Sequence, residues 1–191
     1  MSLETKVLYI QSSLDEKFRL ILDKNWGSKS PNHRNDIRNC LAASFANHFS
    51  RAQLARLNDL TWLPEASNGH VSISHCEQLG GFAYSKFKIG FDVEVITRIS
   101  SRVLKRTADE AEFAACPVPE FLWVAKEAGF KALSSSDRGL IISDLVCFDW
   151  QSQIENQVFS FRLKSQKTLD FGLNKGFIFS EGVCLFAVFL K

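Results

Sequence analysis

Cysteine is scarce in this 191-residue sequence, and its five cysteines are far apart. They are Cys40, Cys76, Cys116, Cys147 and Cys184. An odd number of dispersed cysteines, without a Cys-x-x-Cys pair, argues against both a disulfide framework and a cysteine-ligated zinc site. We therefore expect reduced thiols that are mostly buried, as unpaired cysteines usually are.

Long apolar runs and a strong charge of one sign are also missing from the sequence. No stretch approaches the roughly 18 consecutive apolar residues that a membrane-spanning helix needs, and no basic-then-apolar leader opens the chain. Lysine and arginine number 23 against 21 aspartates and glutamates, so the net charge is only +2. So small a charge does not indicate a nucleic-acid partner. We expect a cytoplasmic monomer that binds neither membranes nor nucleic acid.

What the chain does contain is an ordinary globular composition, with 46% hydrophobic and 23% charged residues. A chain of this length can bury about 70% of the surface of its unfolded state. We therefore expect one compact unit, in which both helical and alternating patterns occur.

The most informative stretch is residues 88–95, KIGFDVEV, in which apolar and polar residues alternate. The strand period of two predicts that its four apolar side chains face the core and that Asp92 and Glu94 point in the same direction. Two carboxylates about 6 Å apart repel by roughly 3 kcal/mol at an effective dielectric constant near 20. A bound cation would turn this repulsion into a binding site, and carboxylates are ligands that magnesium accepts.

A second stretch, residues 121–133, is predicted to be a helix with Pro119 near its start. Its apolar stripe consists of Phe121, Val124, Ala125, Ala128 and Ala132. Glu127 and Lys131 fall together at one edge of this stripe, between the core and the open surface. Glu127 is therefore a candidate third carboxylate of the cation site, and a simple i,i+4 ion pair with Lys131 is the alternative.

Residue patterns predict further elements along the chain. In the first half they are a strand at 6–11, an amphipathic helix at 13–25 and a longer helix at 32–57. In the second half they are a helix at 98–115 with Glu112 on an exposed face, a turn at 174–176, and short antiparallel strands at 140–148, 157–163, 168–171 and 183–190.

The middle of the chain is predicted to form a strand at 71–75 and a hairpin of 79–85 with 88–95. Alternation divides the first strand into an inward set, Val71, Ile73 and His75, and an outward set, Ser72 and Ser74. A lone inward histidine is usually a hydrogen-bonded structural residue, so a functional role for it needs a further argument.

The longer predicted helix lies in a basic region. Between residues 24 and 56 one acidic residue, Asp36, stands against six basic ones, namely Lys24, Lys29, Arg34, Arg38, Arg51 and Arg56. Such a charge run usually forms a solvated helix face. A face that binds phosphate is the alternative.

Three ordered blocks resemble the signature of the 4′-phosphopantetheinyl transferase superfamily. They are SISHC at 72–76, IGFDVE at 89–94 and WVAKEAGFKA at 123–132. They are similar to that family's Gly-x-Asp-x-Glu strand and its Trp-x-x-Lys-Glu-Ala-x-x-Lys helix. The Ser-His pair within the first block resembles the surfactin-synthetase-activating type.

The resemblance implies a pseudo-two-fold α+β fold with two similar halves, residues 1–86 and 87–191, each with helices packed on a small antiparallel sheet. It places the active site in the cleft between the halves. It also implies an enzyme that uses Mg²⁺ to transfer 4′-phosphopantetheine from coenzyme A to a serine of an apo acyl carrier protein or peptidyl carrier domain, releasing 3′,5′-ADP.

Residue roles follow from the same resemblance. The implied magnesium ligands are Asp92, Glu94 and Glu127. Glu127 would also accept the proton of the serine, and neighbouring cations are expected to keep it ionised. Lys131 and His75 complete the catalytic set because they would stabilise phosphate charge. The residues implied to bind coenzyme A are Arg34, Ser74, His75 and Lys131, with Arg34, beside His33, on the 3′-phosphate.

Two other functions are compatible with these residues. The family's usual Gly-Lys-Pro is replaced by DLTW at 59–62, so one phosphate-binding lysine of the family pattern is missing. This replacement suggests a catalytically silent protein that binds coenzyme A or a carrier protein. A magnesium-dependent pyrophosphohydrolase could use the same three carboxylates.

Overall fold

The computed structural model describes residues 1–14, 18–44, 65–66, 69–133, 139–155, 157–166 and 174–191. Within these residues the protein has five α-helices and two antiparallel sheets, so the predicted α+β class is confirmed. The helices are α1 (Leu3–Leu14), α2 (His33–Ser44), α3 (Ser101–Thr107), α4 (Glu110–Ala115) and α5 (Pro119–Leu133). None of the helices described is long and apolar enough to traverse a bilayer.

The first sheet contains β1 (Arg19–Asp23), β2 (Glu65–Ala66), β3 (Gly69–His75) and β4 (Gly80–Ser85). The second contains β5 (Ile89–Val95), β6 (Leu145–Ile154), β7 (Val158–Ser165), β8 (Lys175–Glu181) and β9 (Cys184–Leu190). The strand orders are β1-β4-β3-β2 and β5-β9-β8-β7-β6. Neighbouring strands pair antiparallel in both sheets, as predicted for the second one.

Helix α5 and strand β5 pack directly against each other. All five residues of the predicted apolar stripe of α5 are buried, and Val124, Ala125 and Ala128 have no exposed surface. The close approach depends on Gly90, because a methyl group there would overlap the carbonyl oxygen of Ala128. Strand β5 therefore carries its carboxylates directly beneath α5.

The predicted hairpin of 79–85 with 88–95 is wrong. Strand β4 pairs with β1 on one side and with β3 on the other, so both of its edges are occupied. Strand β5 pairs instead with β9, from Ile89 opposite Leu190 to Val95 opposite Cys184. The short connection between β4 and β5 thus passes from one sheet to the other.

The predictions for the N-terminal residues are also wrong. The proposed strand at 6–11 lies within α1, and the proposed helix at 13–25 contains β1 instead. The β-branched and aromatic residues of the first segment favour a strand locally, but tertiary contacts decide otherwise. Lys6 and Ile10, one helical turn apart, are both buried, and the Lys6 ammonium donates to the Ser180 carbonyl at 2.8 Å and lies 2.7 Å from Glu181.

The predicted helix at 98–115 is divided into α3 and α4, because Asp109 forms a capping box with Glu112 at the start of α4. The exposed position predicted for Glu112 is wrong, since its exposed fraction is 4%. Glu112 lies 2.7 Å from the ammonium of Lys126, which is fully buried, and accepts a 2.8 Å hydrogen bond from the Cys147 amide. These internal partners compensate for the loss of hydration of both charges.

Three of the predicted C-terminal strands correspond to β6, β7 and β9, although β6 begins at Leu145. The turn predicted at 174–176 is wrong because β8 begins at Lys175. Gly176 lies within that strand because the ring of Phe161 fills the place of a side chain. The strand predicted at 168–171 and the end of the helix predicted at 32–57 lie outside the described residues. All five cysteines are free, and four of them are buried, as expected.

Candidate functional site

A cavity of about 460 Å³ lies where α2 and β3 meet β5 and α5. Every site residue predicted from the sequence lines it: Arg34, Ser74, His75, Asp92, Glu94, Glu127 and Lys131. The other residues that line it are Ile37, Arg38, Ile73, Val93 and Trp123. Residues from distant parts of the sequence therefore surround one space.

The two serines of β3 join this strand to β5, and Ser74 also lines the cavity. They were predicted to point outward, but Ser72 and Ser74 are 1% and 7% exposed. The Ser72 hydroxyl accepts a 2.9 Å hydrogen bond from the Phe91 amide, and the Ser74 hydroxyl accepts one of 3.3 Å from the Val93 amide. We call this set of contacts the serine seam. Because the open edge of β5 offers backbone donors, a hydroxyl there is satisfied although it is buried.

Asp92 is fixed by contacts from three elements. Its Oδ1 lies 2.7 Å from the Lys131 ammonium of α5 and accepts a 2.9 Å hydrogen bond from the Ser74 hydroxyl of β3. Lys131 also donates to the Phe91 carbonyl and to the Ser74 hydroxyl, at 3.1 Å each. The ion pair of Lys131 is therefore with Asp92 rather than with Glu127, which removes the i,i+4 alternative for these two helix residues.

Glu127 lies half-buried on α5 and faces the strand carboxylates. Burial raises the pKa of its carboxyl above the ordinary value of 4.5, Asp92 and Glu94 raise it further, and Lys131 lowers it. The expected dominance of neighbouring cations is therefore wrong, because burial and like charge outweigh Lys131. A carboxylate with a raised pKa is a stronger base than an exposed glutamate.

Glu94 is less enclosed than Asp92, with 25% of its side chain exposed against 10%. Its Oε1 accepts a 2.8 Å hydrogen bond from the Val95 amide and lies 3.9 Å from the Arg98 guanidinium. Arg98 is half exposed, so this ion pair contributes little stability. Glu94 therefore has an oxygen available for a ligand in the cavity.

The carboxylates of Asp92, Glu94 and Glu127 fit a hard divalent cation in their chemistry. Oxygen donors of this type suit Mg²⁺, which needs only a few of them in addition to water and phosphate oxygens. Asp92 and Glu94 both raise the pKa of Glu127, so the three carboxylates bring together negative charge that a cation would offset. Among the described residues no group of three or more potential ligands is already drawn together around a common point, and Asp92 is held by Lys131 instead.

His75 is a neutral group at pH 7. Its pKa is lowered to about 4 by burial, with further contributions from His33, Arg34, Lys131 and Arg38. The rings of His33 and His75 meet edge to face with centroids 4.4 Å apart. His33 Nδ1 lies 2.6 Å from the Ser30 carbonyl oxygen and must therefore donate to it. The predicted contribution of His75 to phosphate binding is thus one of hydrogen bonding rather than of positive charge.

Two arginines of α2 add to the positive charge that Lys131 places beside His75. Arg34 is exposed, and Arg38, one helical turn later, is only 6% exposed. The sequence interpretation named Arg38 only as part of a basic run. Its spacing of three residues from the apolar Leu41 could have placed it beside the inward face.

Trp123 was also missed as a cavity residue, although it begins the third sequence block.

Comparison with known proteins adds nothing to the geometry, since the chain matches no protein-family model and no curated protein sequence.

Proposed function

We propose that this protein is a magnesium-dependent 4′-phosphopantetheinyl transferase that modifies an apo carrier protein. One observation carries the proposal: three carboxylates, a lysine and two arginines from distant parts of the chain line a single cavity. A ligand with several phosphate groups and a bound divalent cation would complement both signs of charge. The sequence blocks that resemble the 4′-phosphopantetheinyl transferase superfamily contain the three carboxylates and the lysine, and the resemblance brings the expectation of a pseudo-two-fold fold.

In this proposal the basic residues bind coenzyme A. Arg34 contacts the 3′-phosphate, because an exposed guanidinium at the rim can form a bidentate pair with it. Lys131 and the Ser74 hydroxyl bind pyrophosphate oxygens, which requires Lys131 to move from Asp92 or to contact both. Neutral His75 donates one hydrogen bond to the same phosphates.

Asp92, Glu94 and Glu127 are the residues that would hold Mg²⁺. When bound there, the ion would neutralise charge on the pyrophosphate oxygens. Its binding would also free Lys131, because the carboxylate of Asp92 would then be compensated by the metal.

The chemical step needs a base close to the acceptor serine. The serine hydroxyl oxygen forms a bond to the β-phosphorus of coenzyme A, the bond from that phosphorus to the bridging oxygen breaks, and 3′,5′-ADP leaves. Glu127 accepts the serine proton, directly or through a water, because its carboxylate lies on the lining of the cavity where the serine would enter. Positioning and charge neutralisation account for most of the catalysis in phosphoryl transfer.

The test is a mass measurement on apo carrier proteins incubated with this protein, coenzyme A and magnesium. We expect a gain of one phosphopantetheine on at least one member of a panel of fatty-acid, polyketide and peptide-synthetase carriers. A carrier whose acceptor serine is replaced by alanine is the control and should not gain mass. No gain on any carrier would contradict the proposal.

A second candidate is a silent protein that binds coenzyme A or a carrier protein. It is favoured by the 2.7 Å contact of Lys131 with Asp92, which already neutralises one of the carboxylates. Residues 59–62, where the family lysine is missing, lie outside the described residues. Calorimetric binding of coenzyme A without any mass gain would support this candidate, and release of 3′,5′-ADP without a carrier would instead identify a pyrophosphohydrolase.

A further inference from the structure

Arg38 is an unusual residue for the inward face of an amphipathic helix. It shares this face of α2 with Ile37 and Leu41, which have no exposed surface, and is itself 6% exposed. Burial of a guanidinium is favourable only where anions or acceptors surround it. Arg38 also lines the cavity, so its charge lies beside the space that a ligand would occupy.

The two arginines of α2 differ in depth. Arg34 is exposed, whereas Arg38 is buried beside the fully buried Ile37. Residues four apart on a helix lie about 5 to 6 Å apart at their Cβ atoms. The pair can therefore contact two phosphate groups of one ligand, one near the rim and one deeper in the cavity.

Arg38 also lies in the same electrostatic environment as Lys131. Both cations line the same cavity as His75, and each lowers the pKa of that imidazole. A guanidinium has five N–H donors, so Arg38 can keep an internal partner and still bind a ligand oxygen. Since His75 is neutral, the positive charge at the inner part of α2 comes from Arg38.

We infer that Arg38 is a second anion-binding residue of the cavity, which contacts the pyrophosphate of coenzyme A while Arg34 contacts the 3′-phosphate. This inference rests on the proposed function for the identity of the ligand. The two arginines then have separable roles. Arg34 recognises the 3′-phosphate, which 3′-dephospho-coenzyme A lacks. Arg38 recognises the pyrophosphate, which both coenzymes contain.

The test compares Arg38→Gln with the exposed control Arg102→Gln in α3. Because hydrogen bonds to charged groups are among the stronger ones, we expect Arg38→Gln to raise KM about tenfold or more for coenzyme A and for 3′-dephospho-coenzyme A by the same factor. It should also weaken calorimetric binding of inorganic pyrophosphate in saturating magnesium. Unchanged values for a folded Arg38→Gln, or a changed preference between the two coenzymes, would overturn the inference.

A measurement on the unaltered protein covers the case in which Arg38→Gln does not fold. The side-chain Nε resonance of Arg38 should shift when inorganic pyrophosphate is added, and that of Arg102 should not. A missing Arg38 shift at saturating pyrophosphate would overturn the inference. If the protein modifies no carrier but Arg38 still responds to pyrophosphate, the proposed function fails and the anion site stands. If carriers are modified and the Arg38 resonance does not shift, the proposed function stands and the inference about Arg38 fails.

Discussion

The Lys131 ammonium and the Asp92 carboxylate lie 2.7 Å apart, and the contact joins α5 to β5 at the point where β3 also reaches them through Ser74. A side chain of the second sheet's strand is thus held by a helix above it and by a strand of the first sheet. A substitution of Asp92 therefore changes the charge of the cavity more than it changes the packing of the hydrophobic core.

We expect Asp92→Ala to abolish phosphopantetheine transfer and to leave the protein folded. Removing this carboxylate removes a metal ligand and leaves Lys131 without its ion pair, but the apolar residues of β5 keep their packing. The exposed Glu110→Ala is the matched control and should retain full activity. Transfer in Asp92→Ala, or transfer by the unaltered protein in excess chelator, would contradict the metal assignment.

Arg34→Ala should raise KM for coenzyme A and narrow the preference for coenzyme A over its 3′-dephospho form. The physical reason is that a charge-assisted contact to the 3′-phosphate would be lost, whereas no group near the reacting phosphorus changes. Steady-state kinetics with both substrates measures this. An unchanged preference would show that Arg34 belongs to a solvated helix face.

Glu127→Gln should lower kcat by roughly a hundredfold or more, which is the range for a lost general base. The amide keeps the size of the side chain and one possible ligand oxygen, so binding of coenzyme A should persist. The measurement is kcat at saturating magnesium, with calorimetric binding of coenzyme A as the control. Near-normal kcat would leave Glu127 as a metal ligand only.

The pKa of Glu127 should be higher than the ordinary value of 4.5, and its neighbours should move it in opposite directions. Lys131 lowers this pKa, so Lys131→Met should raise it; Asp92 raises it, so Asp92→Asn should lower it. The titration is made without magnesium, because a cation bound to this carboxylate would lower its pKa. Carbon-13 NMR of the carboxyl group measures these shifts without requiring activity, and a pKa below 4.5 in the unaltered protein would contradict the prediction.

Lys126→Met should destabilise the protein by about 3 to 5 kcal/mol, because it leaves the carboxylate of Glu112 buried and unpaired. Adding Glu112→Gln should restore much of this loss, since the amide oxygen can still accept from the Cys147 amide and carries no charge. Urea unfolding measures both changes. The exposed Lys105→Met is the control and should change the free energy of unfolding by no more than about 0.5 kcal/mol. A double variant less stable than the single one would contradict this account.

Local patterns predicted strand β5 and helix α5, in which apolar residues recur at the period of the element. The prediction that Asp92 and Glu94 share a direction is consistent with the cavity, which both residues and Glu127 line. The same patterns failed for α1, where the burial of Lys6 depends on an acceptor at Ser180, far away in the sequence. A local residue pattern cannot predict a contact with so distant an acceptor.

The errors at polar residues have a common physical origin. Glu112 and Ser72 were assigned to exposed positions because polar side chains usually seek water. Each is buried because a distant partner replaces water: the Lys126 ammonium for Glu112 and the open backbone edge of β5 for Ser72. Helical spacing could have predicted the inward position of Arg38, but the polarity of its side chain argued against that position.

The serine seam also bears on how this protein avoids aggregation. An outermost strand with open N–H groups can recruit a strand from another molecule and begin an intermolecular sheet. In β5 two of these groups, on Phe91 and Val93, already donate to hydroxyls of the chain's own β3. Because a hydroxyl accepts the hydrogen bond without offering a backbone ladder of its own, the sheet ends at β5. Ser72 and Ser74 thereby also limit the pairing of β5 with a second copy of the protein.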